Sequence, residues 1–268
     1  MKAPLPEIKF CGFTRKEDIR VALDLGVRTL GINFYPKSKR YVNPPDAVRL
    51  LEPFLQARGV GDSSTSSACF IGVFVDASPE EVLATVQQCS LHGIQLHGDE
   101  DPSWIDRARQ LDGWVDIPIW RALPYRGSID DALIVGWSDL VYAEASPVSG
   151  LLIDAYDPIH KGGTGKRVAW ELLTPRPVSF FPRRVTGASA ESSAGIVDSL
   201  GVPFLLAGGL TPDNVTQALN MVMPVGVDVA SGIESEPGVK DKTKMQQFVQ
   251  AYRACRASEK TLTQGERS

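Results

Sequence analysis

Apolar residues in this chain gather into short continuous runs separated by longer stretches in which they recur every three or four positions. The runs are Ile8–Gly12, Thr29–Phe34, Cys69–Val75, Gly93–His97, Ile117–Leu123, Leu151–Ala155, Phe204–Ala207 and Gly226–Ser231. Most are continuously apolar rather than alternating, which predicts parallel strands covered on both faces. The stretches between them carry helix-start chemistry. Thr14 with Glu17 has the spacing of a capping box, in which each residue satisfies a backbone amide of the other. Ser78-Pro79-Glu80-Glu81 supplies a cap, a proline at the first helical position and carboxylates in the first turn. Thr211-Pro212-Asp213-Asn214 repeats that order, and Asn43-Pro44-Pro45-Asp46 is a further start signal.

A strand–helix unit repeated about eight times predicts an α/β fold, a single-domain (β/α)8 TIM barrel over residues 1–256. A doubly wound open sheet is the alternative that periodicity alone leaves open. Two segments read as insertions: 57–67, rich in Gly, Ser and Thr, and 176–200, which opens on prolines and contains Arg183-Arg184. The polar end, 257–268, reads as a frayed tail.

Composition narrows the function. The 268 residues are 43% hydrophobic and 22% charged, ordinary for a globular protein. A net charge of −4 leaves no basic excess for nucleic acid. No apolar run reaches membrane length, and the N-terminus lacks the pattern of a signal peptide. The four cysteines, Cys11, Cys69, Cys89 and Cys255, are scattered and form no C-x-x-C pair, which fits a reducing, cytoplasmic compartment.

A barrel places its chemistry at the C-terminal ends of its strands. Cys11 ends the first run, where a thiol can ionise to a base or nucleophile or simply fill space. The loop after the second run is basic, and its Arg40 can grip a carboxylate with two parallel hydrogen bonds. Gln95 and His97 are two apart and share one face of the fourth strand. Asp154 ends an apolar run, where burial favours the protonated form that a general acid needs, although loop amides can equally hold it as a structural carboxylate. Glycine-rich turns follow strands six, seven and eight: Gly162-Gly163-Thr164-Gly165, Gly208-Gly209 and Ser231-Gly232. Such turns present backbone N–H groups to a phosphate, and neither the P-loop nor the dinucleotide-binding spacing is present.

Taken in order, these segments resemble the phosphoribosylanthranilate isomerase family. The residues that carry the resemblance are Lys9-Phe10-Cys11-Gly12, Pro36-Lys37-Ser38-Lys39-Arg40-Tyr41, Gly72-Val73-Phe74-Val75, Gln95-Leu96-His97-Gly98, Leu152-Ile153-Asp154-Ala155, Gly162-Gly163-Thr164-Gly165, Leu206-Ala207-Gly208-Gly209-Leu210 and Gly226–Glu234, extended by Pro237–Asp241. The resemblance implies a cofactor-free, metal-free Amadori rearrangement of N-(5-phosphoribosyl)anthranilate in tryptophan biosynthesis. It implies Cys11 as general base and Asp154 as general acid, with Arg40 facing the anthranilate carboxylate and His97 and Asp228 lining the site. Amides of Gly163, Thr164, Gly165, Gly208, Gly209, Ser231 and Gly232 would hold the phosphate. The expected partner is this small substrate, with no nucleic acid or membrane, in a monomer or homodimer. Phe10 stands where the family usually has a smaller aliphatic residue, and Ala230 replaces a common Ser. An indole-3-glycerol-phosphate synthase would call for a catalytic Lys and Glu set not found here, and a histidine-pathway sugar isomerase for Asp in place of Cys11. A non-catalytic sugar-phosphate binder would keep the glycine turns without the acid and base.

Overall fold

The computed structural model describes residues 5–55, 68–114, 117–125, 131–155 and 202–265. Eight parallel strands close into a barrel in sequence order: β1 (Ile8–Cys11), β2 (Thr29–Asn33), β3 (Cys69–Phe74), β4 (Gly93–Leu96), β5 (Ile119–Pro124), β6 (Val148–Asp154), β7 (Phe204–Ala207) and β8 (Gly226–Val229). β8 pairs with β1 through Ile8↔Val227, Lys9↔Asp228 and Phe10↔Val229. That closure removes the open sheet from consideration. Around it lie α1 (Lys16–Asp24), α2 (Pro44–Leu55), α3 (Pro79–Cys89), α4 (Ser103–Arg109), α5 (Asp131–Tyr142), α6 (Val215–Val222) and α7 (Lys242–Gly265). A short hairpin, β9 (Glu234–Glu236) with β10 (Val239–Lys240), follows β8. The expected insertions at 57–67 and 176–200 lie outside the described residues.

The core has two parts, as strands covered on both faces require. A large apolar cluster joins the outer faces of the strands to the helices. A smaller one, Ile71, Trp120, Ala122, Leu152, Leu205 and Ala207 with Leu5 and Cys69 against it, fills the barrel interior. β1 sorts its residues between the two by the two-residue strand period. Phe10 faces outward and meets Phe248 of α7 edge-on, with ring centroids 5.9 Å apart. Lys9 and Cys11 therefore face inward. The bulky residue at position 10 is absorbed by the helix layer, away from Cys11.

The helix-start signals came out unevenly. At α3 the capping box forms as written: the Glu81 amide donates to Ser78 Oγ, and the Ser78 amide donates to the Glu81 carboxylate. At α2, Asn43 Oδ1 accepts from the Asp46 amide. At α1 the expected Thr14–Glu17 box does not form. Thr14 Oγ1 instead donates to the Gly238 carbonyl at 2.6 Å, and Glu17 takes Arg15. At α6, Asn214 turns back into its own loop: its Oδ1 accepts from the Thr211 amide and its Nδ2 donates to the Gly209 carbonyl. Both residues hold rim loops, a use that competes with capping for the same short polar side chain. The polar end also differs from expectation, because α7 continues as helix to Gly265 through residues expected to fray. Its Lys, Gln, Arg and Ala content favours helix where nothing apolar is needed.

The closing seam is tight. A Cβ on Gly226 would stand 2.0 Å from the Pro6 carbonyl oxygen, which belongs to backbone and has no rotamer with which to retreat. Gly226→Ala is expected to destabilise the barrel by about 1–3 kcal/mol, the usual cost of overpacking. Urea unfolding would report this as a lower midpoint at unchanged slope.

Candidate active site

Those of the predicted residues that the structure describes gather toward the C-terminal mouth of the barrel, and the charges around them are more numerous than the sequence suggests. Cys11 is buried, at 8% exposure. Lys9, two residues earlier on the same inward face, is fully buried, with Nζ 2.9 Å from Asp228 Oδ1 across the closing seam. Gly31 on β2 leaves the room for this group, since Cys11 Sγ and Lys9 Nζ both lie within 3.2 Å of where its Cβ would be. Burial pushes the Cys11 thiol up, the Lys9 ammonium pulls it back, Asp228 adds to the rise, and Lys240 opposes it. Burial would lower Lys9, but Asp228 and Cys11 outweigh it and hold the ammonium above its ordinary value. Asp228, expected to line the site, is paired with Lys9, a residue not singled out in the sequence. The available signal was the i, i+2 spacing of Lys9 and Cys11 in a run otherwise apolar.

A second buried network ties the mouth together. Arg40 donates from Nε and Nη2 to the two oxygens of Glu234, at 2.7 and 2.6 Å. Lys240 Nζ donates to Glu234 Oε1 at 2.8 Å and to the carbonyls of Cys11 and Ala230. The Lys240 amide donates to Asp18 of α1 at 2.9 Å, and Lys244 Nζ reaches the Glu234 carbonyl. Glu234 is therefore held below the usual carboxylate range: burial would raise it, but the Arg40 and Lys240 charges outweigh that. Burial lowers Lys240 against the pull of Glu234. The expectation for Arg40 needs correcting in one respect. The bidentate grip assigned to a substrate carboxylate is, on one edge of the guanidinium, already given to Glu234. Arg40 has five N–H donors, so its other edge is the one left for a ligand.

On the opposite side of the mouth, His97 and Asp154 meet, with Nε2 to Oδ2 at 3.2 Å. Gln95 Nε2 stands 2.9 Å from His97 Nδ1. Both are partly exposed, the His97 side chain at 29% and that of Asp154 at 23%. The loop carrying His97 is clasped from behind. Arg121 of β5 donates to the carbonyls of Leu96 and Gly98 and to Glu100, whose carboxylate in turn accepts from the Gly98 and Asp76 amides. Arg121 and Glu100 were not singled out in the sequence; a charged pair at 1% and 2% exposure is legible only in three dimensions.

The glycine turns after β7 and β8 are pressed together. Gly208 and Gly209 take φ of 92° and 62°, values that L side chains rarely adopt. A Cβ on Gly232 would lie 1.8 Å from the Leu210 carbonyl oxygen. Ser231 opens a single 3-10 turn, Ser231–Ile233. Gly163, Thr164 and Gly165 lie outside the described residues. A separate groove of about 490 Å³ runs between α1 and α2; of its three cations, Arg15 is paired with Glu17 and Arg49 with Asp46, and Lys16 is the third. Among the described residues no group of three His, Cys, Asp or Glu side chains is placed to hold a metal ion. Among them, too, no helix is long and apolar enough to cross a membrane.

A closed parallel barrel with an ionisable thiol, a carboxylate and two abutting glycine turns at its C-terminal mouth defines the class: a (β/α)8 enzyme scaffold suited to a phosphorylated small molecule. Comparison narrows it. The family model for N-(5'phosphoribosyl)anthranilate (PRA) isomerase matches residues 8–251. The N-(5'-phosphoribosyl)anthranilate isomerase of Myxococcus xanthus (strain DK1622) is 36% identical over 247 residues, 92% of this chain and 96% of that one. The crystal structure of phosphoribosyl anthranilate isomerase from Thermotoga maritima superposes with a TM-score of 0.65 at 28% identity, covering 93% of this chain and all of that one. A phosphoribosyl anthranilate isomerase in complex with reduced 1-(o-carboxyphenylamino)-1-deoxyribulose 5-phosphate gives a TM-score of 0.63 at 26% identity over the same share of both chains. The chain belongs to the N-(5'-phosphoribosyl)anthranilate isomerase family.

Glu234→Ala would leave Arg40 and Lys240 buried without their shared counter-charge. The expected loss is about 3–5 kcal/mol, the usual cost of breaking a buried pair from one side. Because Glu234 titrates lower in the folded chain than in the unfolded one, its contribution is present above its ordinary value of 4.5 and fades as pH falls through the lowered one. Urea midpoints across pH 3 to 7 check this: the gap between wild type and Glu234→Ala should narrow at the acid end.

Proposed function

We propose that this protein catalyses the Amadori rearrangement of N-(5'-phosphoribosyl)anthranilate to 1-(o-carboxyphenylamino)-1-deoxyribulose 5-phosphate, with Asp154 as acid and Cys11 as base. The observation that carries the assignment is the pairing of two environments across one mouth. A buried thiol on β1 lies among the Lys9 and Lys240 ammonium groups, and a carboxyl on β6 is held by His97.

Protonated Asp154 donates to the ring oxygen of the ribose, the C1'–O bond breaks, and the nitrogen lone pair closes a protonated imine at C1'. That imine withdraws electrons from C2' and acidifies its proton. The Cys11 thiolate takes the proton, the C2'–H electron pair becomes the C1'=C2' bond, and the imine pair returns to nitrogen. The resulting enolamine tautomerises to the ketone, its hydroxyl losing a proton as C1' gains one, so the reaction is balanced without any oxidant. Lys9 and Lys240 favour the thiolate by opposing the desolvation that disfavours it. Asp228 neutralises Lys9 and keeps that cation in place.

The phosphate is assigned to amides of Gly208, Gly209, Ser231 and Gly232, with Gly163, Thr164 and Gly165 completing the cup. Turns of this kind offer several N–H groups to one anion. The anthranilate carboxylate is assigned to the edge of Arg40 that Glu234 leaves open. Glu234 holds the arginine charged and its plane fixed.

Turnover is followed by loss of substrate fluorescence, with phosphoribosylanthranilate made in situ from anthranilate and phosphoribosyl pyrophosphate. Cys11→Ser and Asp154→Asn should each lower kcat by about 10²-fold or more, the range for a missing acid or base, while the reduced product analogue still binds. Continued turnover in either variant would remove that residue from its role. An inactive, folded wild-type protein would remove the reaction.

A further inference from the structure

We infer that Gln95 is a positioning residue of this active site: by turning its amide over, it sets the tautomer of His97 and thereby whether His97 supports the ionised or the protonated form of Asp154. The inference rests on the reading of Asp154 as general acid.

Gln95 sits on β4, fully buried inside the barrel, in register with Val73 of β3 and Trp120 of β5. Its Nε2 stands 2.9 Å from His97 Nδ1, and His97 Nε2 stands 3.2 Å from Asp154 Oδ2. An amide nitrogen can only donate. With Gln95 Nε2 toward the ring, Nδ1 is the acceptor, the ring proton is on Nε2, and it donates to Asp154. That chain suits an ionised carboxylate, the state left after a proton has been given away.

The reverse chain occupies the same heavy-atom positions. Turning the Gln95 amide by 180° brings Oε1 to Nδ1, which must then carry the ring proton. Nε2 becomes an acceptor, and Asp154 is the donor through a protonated carboxyl. This is the state a general acid needs before the ring oxygen is protonated. The two amide ends differ little in size, and Oε1 has no hydrogen-bond partner among the described residues. The turn therefore sacrifices one bond, to His97, and remakes it. Asp154 Oδ1 is likewise buried without a partner there, while Oδ2 answers to His97.

The backbone that carries the ring is held on both sides, so the choice between chains falls on the side-chain amide. The His97 amide donates to the Phe74 carbonyl at 2.8 Å. Gly98 is pinned through its amide by Glu100 and through its carbonyl by Arg121.

Gln95→Met keeps a similar volume and removes both donor and acceptor. The expected result is a drop in kcat of about tenfold, part of the full general-acid effect, with KM within about twofold. The ¹⁵N spectrum of His97, assigned by comparison with His97→Gln, should show Nδ1 losing its hydrogen bond and both neutral tautomers present. Unchanged kcat, a change confined to KM, or an unmoved His97 spectrum would each overturn the inference. Asp154→Asn separates the two readings. If it is inactive while Gln95→Met is fully active, only the relay fails; if it is active, the general-acid assignment fails and the relay with it. Binding of the reduced product analogue by each variant establishes that the mouth is intact.

Discussion

A lysine ammonium with no water around it must be paired or give up its proton, and in this barrel that requirement falls on the seam where the sheet closes. Lys9 on the first strand meets Asp228 on the last, 219 residues apart in sequence. The backbone register brings the same two residues opposite each other. The pair is therefore satisfied only when the barrel is shut and in register, which makes a local electrostatic need into a check on global topology. A one-residue slip would turn Lys9 outward among the helix-facing apolar groups.

The mouth follows the same plan. Thr14 reaches Gly238, Lys240 reaches Cys11 and Asp18, and Arg40 reaches Glu234, so every one of these contacts joins the first quarter of the chain to its last. The β9–β10 hairpin acts as the fastener, since Glu234 and Lys240 stand at its two ends. Buried ion pairs seldom add much net stability compared with an apolar filling. Here their value is geometric: they keep a thiol, a guanidinium and the turn after β8 at fixed separations. They also supply positive charge that offsets part of the desolvation of the Cys11 thiol, which on balance stays above its ordinary value.

Much of this was readable in the sequence, and the rest was hidden for definite reasons. The strands were legible because parallel strands covered on both faces give continuous apolar runs, and all eight fall where those runs are. Cys11, His97 and Asp154 were legible at the ends of such runs, whereas Asp228, inside the last run, was named through the family resemblance alone. Lys9 was passed over because a lysine in an apolar run has a partner only once β8 closes on β1. Glu234 and Lys240 lay in a quoted segment, yet nothing local says that Glu234 takes Arg40, 194 positions earlier, or that Lys240 shares that carboxylate. Thr14 and Asn214 have the composition of helix caps and are spent on loops instead, a choice decided by tertiary partners. The glycine-rich segment at 163–165 lies outside the described residues.

The two sides of the mouth are built on different physical principles, and the difference matches the chemistry proposed for each. Around Cys11 the surroundings are ionic and almost dry, with charges fixed by one another: burial holds the thiol above its ordinary value, and the Lys9 and Lys240 ammonium groups work against that rise. Around Asp154 the surroundings are an amide, an imidazole and partial access to water, as suits a group that must give up a proton and recover it. Fixed charges there would hold the carboxyl in one state. A chain of donors and acceptors that can be reversed end to end passes from one arrangement to the other by one amide turn rather than by the separation of an ion pair.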